Sequence, residues 1–115
     1  MYENYLTFQE LTRTDTELYN TVDSPSHLAN LASLWDYLNS LRKELGAPIY
    51  VNSAFRTPAV NKQVRGAKRS LHMQGRAVDI RTKPEYFSRL RSILASHKDE
   101  LSELIEYQTF FHIAL

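Results

Sequence analysis

Between Ser24 and Gly46 the apolar residues Leu28, Leu31, Leu34, Trp35, Leu38, Leu41 and Leu45 return every three or four positions. That spacing lays them along one face of a helix. Ser24-Pro25 supplies a start and Gly46 a stop, so a long core helix is predicted here. Upstream, Thr7 with Glu10 three residues later has the form of a capping box, which predicts a short helix in "TFQELTRT", and "NTVDSP" reads as a turn. Downstream the period changes to two. "PIYVNSAF" alternates Ile49, Val51 and Ser53 against Tyr50 and Asn52, the pattern of a strand. Thr57-Pro58 opens a short helical turn through Val64, the basic loop "RGAKRS" follows, and "RAVDI" is a second strand. Pro84 opens a third helix with Tyr86, Phe87, Leu90, Ile93 and Leu94 on one face. The chain closes with two strands, "ELIEY" and "TFFHIAL", joined by a tight turn near Gln108.

Strand parity sorts the polar residues. Successive side chains point to opposite faces, so with Val78 and Ile80 in the core Asp79 faces away, and with Phe111 and Ile113 inside His112 faces away. The same reading turns Ile105 and Tyr107 inward and Glu106 outward, with Glu103 on the opposite face from Glu106. Asp79, Glu106 and His112 are thereby expected on one sheet face, joined by His72 from the preceding loop. Two imidazoles and a carboxylate suit zinc, with a fourth position for water. Each also has a plainer reading: Asp79 as a solvent-facing strand residue, His72 as a loop hydrogen-bonder. His27 and His97 read as structural, His97 being suited to a helix C-terminus.

Composition narrows the field. A chain of 115 residues is expected to form one domain over residues 1–115 with one modest core, and 43% hydrophobic content with seven Tyr, five Phe and one Trp argues against disorder. There is no cysteine, so a metal site must use His, Asp and Glu. The net charge of +1 demands no polyanionic partner. Residues 56–83 hold eight of the fourteen Lys and Arg and a single acid, Asp79. No aromatic is interleaved between Lys62 and Lys83 and no nucleic-acid motif occurs, so a solvated basic loop is the first reading, steering of an acidic substrate the second and nucleic-acid binding a distant third. The N-terminus lacks the features of a secretory signal, and no stretch has the length of a membrane span. A soluble monomer, cytoplasmic as synthesised and without membrane or nucleic-acid partners, is expected.

"SAFRTPAVN", then "GAKRSLHMQGRAVDI", then "ELIEYQTFFHIAL" resemble zinc metallopeptidase family 15, which includes D-Ala-D-Ala carboxypeptidases and phage L-Ala-D-Glu endolysins. The family pattern is Ser-x-x-Arg, Ser-x-His-x-x-Gly-x-Ala-x-Asp and a distal aromatic-x-His. Here it is met by Ser53 and Arg56, by Ser70, His72, Gly75, Ala77 and Asp79, and by Phe110 and His112. Similarity extends upstream through "NTVDSPSHLANLASLWDYLNSLRKELGAPIYVNSAFR" to a small single-domain subgroup. The resemblance implies an α+β fold: a small, mainly antiparallel sheet with helices on one side and the metal site on the other face. It implies Zn2+ held by His72, Asp79 and His112, a substrate carboxylate held by Arg56, and Ser70 beside the site. Arg56 is expected to serve substrate and not the fold.

One position departs from the pattern. Where the best-known members place a general-base carboxylate, three residues before the last histidine, this chain has Thr109, which cannot take a proton from water at neutral pH. Glu106 is therefore assigned the base. The resemblance implies hydrolysis of an amide bond in peptidoglycan stem peptides that contain D-amino acids, by a carboxypeptidase or an endopeptidase, acting at the bacterial cell wall after release or within a phage particle. Two alternatives stand beside it. One is a non-catalytic peptidoglycan-binding module that keeps fold and metal. The other is a non-haem iron site, disfavoured because His72 and Asp79 are seven apart.

Overall fold

The computed structural model describes residues 8–14 and 16–115. Thr7 of the expected capping box lies outside them, and Phe8–Leu11 forms a single 3-10 turn. Helix α1 spans Pro25–Leu45. The Ser24 side chain accepts the His27 N–H at its start, and Gly46 ends it at φ 71°, where its N–H reaches the Arg42 carbonyl. Both ends are the ones its residue types dictate. Leu31, Leu34, Leu38, Leu41 and Leu45 are buried from this helix, and loss of one such leucine side chain costs about 2–5 kcal/mol.

Four strands follow in the order β1-β2-β4-β3, every neighbouring pair antiparallel. They are β1 (Ile49–Ser53), β2 (Ala77–Thr82), β3 (Glu103–Glu106) and β4 (Phe111–Ala114). Between β1 and β2 come α2 (Pro58–Gln63), capped by Thr57, and a 3-10 turn Leu71–Gln74. After β2, Pro84 opens a 3-10 turn rather than an α-helix, and α3 runs Phe87–Ser96 with His97 as its C-cap.

The core cluster joins the α1 leucines, Leu90 and Leu94 of α3, and Ile49, Val51, Val78, Ile80, Phe111 and Ile113 of the sheet. Phe111 stacks on Phe87 at 4.6 Å between ring centroids. Helices thus cover one sheet face, as expected of this α+β fold, and Asp79 and His112 alternate onto the other. Among the described residues, no helix is long and apolar enough to cross a membrane.

Two departures from simple alternation shape the site. Val51 pairs with Ile80, yet Ser53 pairs with Asp79, so one extra residue, Asn52, sits in β1 as a bulge. A bulge shifts parity by one, and Ser53 leaves the face of Ile49 and Val51 for that of Asp79. The second departure is in β3. Ile105 lies opposite His112 and Glu106 opposite Phe111, so Glu106 is on the helix-covered face and Glu103 and Ile105 are on the face of His112. This reverses the expected parity of the strand. β3 is an edge strand with every residue exposed, so no burial constrains which of its apolar residues turn inward. Leu104 and Ile105 point opposite ways.

Candidate metal centre

His72, Asp79 and His112 converge on the open sheet face, their ligand atoms all within 4.8 Å of one another. Asp79 comes from the middle of β2 and His112 from the residue paired with it on β4. His72 comes from the 3-10 turn before β2, which local bonds hold in place: Ser70 Oγ accepts the His72 N–H at 3.2 Å, and Gly75 closes the turn at φ 74°. A side chain at Gly75 would be strained by that φ, and its Cβ would come within 2.7 Å of the His27 carbonyl.

The hydrogen bonds fix what each ring can do. His72 is buried, and its Nδ1 donates to the Ala54 carbonyl at 2.7 Å. Its Nε2 is left to face Asp79 Oδ1, 3.4 Å away. Either a proton or a metal ion can join that nitrogen to the carboxylate, and a histidine whose far nitrogen is tied to a carbonyl is the usual form of a metal-binding histidine. His112 Nδ1 lies 2.8 Å from the same Asp79 oxygen. One carboxylate oxygen thus sits between two imidazole nitrogens, a donor set that fits zinc.

Burial alone would push the Asp79 carboxyl upward, but hydrogen bonds from His112 and His72 outweigh it and hold the pKa at about 2. Asp79 is accordingly ionised throughout the working range. The hydrogen bond to Asp79 raises the pKa of His112, with burial opposing and Glu103 adding to the rise.

Arg56 lies on the far side of Asp79, Nη2 to Oδ2 at 3.7 Å. Its Nε donates to Ser53 Oγ at 3.1 Å, made possible by the bulge, and its Nη1 donates to Asn61 Oδ1 at 3.2 Å. Burial pulls its pKa down while Asp79 works the other way. Gly66 closes over this network, since a Cβ there would meet Asn61 Oδ1 at 2.0 Å and Arg56 Nη1 at 2.8 Å. Arg56 is therefore part of the framework as well as the site, contrary to the expectation that it serves substrate alone.

The expectation for Glu106 is overturned by the register of β3. Glu106 lies across the sheet from the metal centre and is held by Arg91 of α3, Nε to Oε1 and Nη2 to Oε2 both at 2.8 Å. The acid on the correct face is Glu103, whose Oε1 accepts from His112 Nε2 at 2.7 Å. Thr109 sits in the exposed turn between β3 and β4. A cleft of about 330 Å³ opens over the cluster, and Arg56, Ser70, Glu103 and Phe110 are among its lining residues.

The sequence model of the peptidase M15 family matches residues 4–114. The chain belongs to the peptidase M15 family. A curated relative, the zinc D-Ala-D-Ala carboxypeptidase of Streptomyces albus G, is 33% identical over 94 residues, a span of 79% of this chain and 36% of the relative. The chain thus spans little more than a third of that relative's length. The M15 fold of this chain brings together every sequence-predicted site residue except Glu106, and it adds Glu103, Asn61 and Gly66. Of these only Glu103 carried a sequence signal, as an acid in the strand before the last histidine.

Proposed function

We propose that this M15 domain is a zinc-dependent peptidase that hydrolyses an amide bond in D-amino-acid-containing peptidoglycan stem peptides. The observation that carries the reading is the one-sided cluster in which His72 Nε2 and His112 Nδ1 both face Asp79 Oδ1. The family match and the name of the relative support the substrate class. His72, Asp79 and His112 would hold the ion. Zinc so held lowers the pKa of a bound water to about 7 and polarises a carbonyl.

The chain's own residues supply the rest. Glu103 is the carboxylate beside the cluster that can accept a proton from the attacking water and return it to the leaving amine. Arg56 keeps one N–H on each terminal nitrogen beyond its framework bonds, enough for a forked contact with a substrate carboxylate. Ser70 spends its oxygen as an acceptor for the His72 N–H, which leaves its hydroxyl proton for a substrate group.

Digestion of purified peptidoglycan with the zinc-loaded protein, followed by mass analysis of the released fragments, tests the reading. New amine ends at one defined peptide bond are expected. Zinc and stem-peptide binding without any new amine would identify a non-catalytic binding module instead.

A further inference from the structure

The cleft over the metal centre has two unlike walls. Ile105, Tyr107 and Phe110 line one side, with Tyr107 stacked on Phe110 at 4.6 Å between ring centroids. The other side carries two arginines, Arg56 and Arg69, and their situations differ. Each of the three nitrogens of Arg56 already has a protein partner in Ser53, Asn61 or Asp79. Arg69 is exposed and, among the described residues, its guanidinium has no hydrogen-bond or ion-pair partner. Its backbone is nevertheless fixed. The Ser70 N–H bonds the Ala67 carbonyl, the Asn61 side chain holds that same carbonyl at 2.9 Å, and Ser70 caps the turn that carries His72. Of the exposed cations in the loop between α2 and His72, namely Arg65, Lys68 and Arg69, only Arg69 lines the cleft.

We propose that Arg69 is a specificity-determining residue that binds a second substrate carboxylate, separate from the one facing Arg56, and so selects peptides bearing two free carboxylates. This rests on the peptidase reading for its substrate class. An unpaired guanidinium on a fixed backbone at the cleft rim offers a planar fork to a carboxylate without first breaking a protein contact. The apolar wall opposite accepts the uncharged side of the same peptide.

The test uses a stem-peptide fragment with a free D-glutamyl α-carboxylate and a free C-terminus, and two versions in which one or the other is amidated. Binding of each to the zinc-loaded wild type and to Arg69→Gln is measured by calorimetry, and turnover is followed in parallel. Arg69→Gln should weaken binding of the doubly free fragment by roughly 10- to 100-fold. It should leave unchanged the fragment already amidated at the carboxylate that Arg69 holds, with Arg69→Lys intermediate. Equal weakening for all three fragments, no weakening for any, or no binding by the wild type would overturn the assignment. Arg69-dependent binding without cleavage would refute the peptidase reading and leave the Arg69 assignment standing. Cleavage with a carboxylate preference that Arg69→Gln does not alter would do the reverse.

Discussion

His112 stands between two carboxylates, with Nδ1 2.8 Å from Asp79 Oδ1 and Nε2 2.7 Å from Glu103 Oε1. One ring nitrogen belongs to the metal cluster and the other ties the ring to the acid proposed as base. Glu103→Gln keeps an oxygen for the Nε2–H but removes basicity. Zinc content should stay near the wild-type level while hydrolysis of stem-peptide fragments falls by about 10²- to 10⁴-fold. Retained activity in Glu103→Gln would exclude the role.

Glu106→Gln provides the contrast. Its partner Arg91 is on the helix-covered side, and both side chains are about half exposed, 42% and 48%. Exposed pairs of this kind are screened by solvent and contribute little to stability. A small fall in the unfolding midpoint with unchanged turnover is expected. A 100-fold loss of turnover would restore Glu106 to the mechanism.

Gly66→Ala should damage the site without touching a ligand. The added Cβ would lie 2.0 Å from Asn61 Oδ1 and 2.8 Å from Arg56 Nη1, so the Arg56–Asn61 contact has to open. Overpacking of this kind costs about 1–3 kcal/mol. Urea unfolding should show the loss and peptide turnover should fall with it. Wild-type stability would mean that the loop yields freely.

Much of this was legible in the sequence because burial writes its own pattern. The leucines of α1 and the Ser24 and Gly46 caps needed only spacing and residue type. Val78 and Ile80 around Asp79, and Phe111 and Ile113 around His112, gave the parity of the two central strands because their inward faces are buried. β3 has no buried face, so "ELIEY" supports either orientation, and alternation alone does not choose between Glu103 and Glu106. The bulge at Asn52 is likewise silent in alternation, since Ser53 is polar and fits either face. The contacts of Arg56 with Asn61 and Gly66 arise only when α2 and its following loop fold back.

His97 gives a pH dependence away from the site. It bridges the end of α1 to the turn after α3, with Nε2 2.9 Å from Glu44 and Nδ1 2.6 Å from Glu100. The hydrogen bonds that the ring donates to Glu44 and then to Glu100 raise its pKa above 6.5, with burial opposing. A histidine whose folded pKa is raised contributes its full stabilisation below the unfolded value and loses it as pH climbs through the folded value. Thermal stability should therefore decline from about pH 6.5 upward, and His97→Gln should flatten that decline. An unchanged slope in the variant would remove His97 as its source.

The account turns on the ion held by His72, Asp79 and His112, so its most direct test is amine release from purified peptidoglycan before chelation, after chelation and after zinc is restored. Chelation should abolish release and about one equivalent of zinc per chain should recover it, while His112→Ala should bind little zinc and release nothing. Undiminished release from the fully chelated protein would contradict the account.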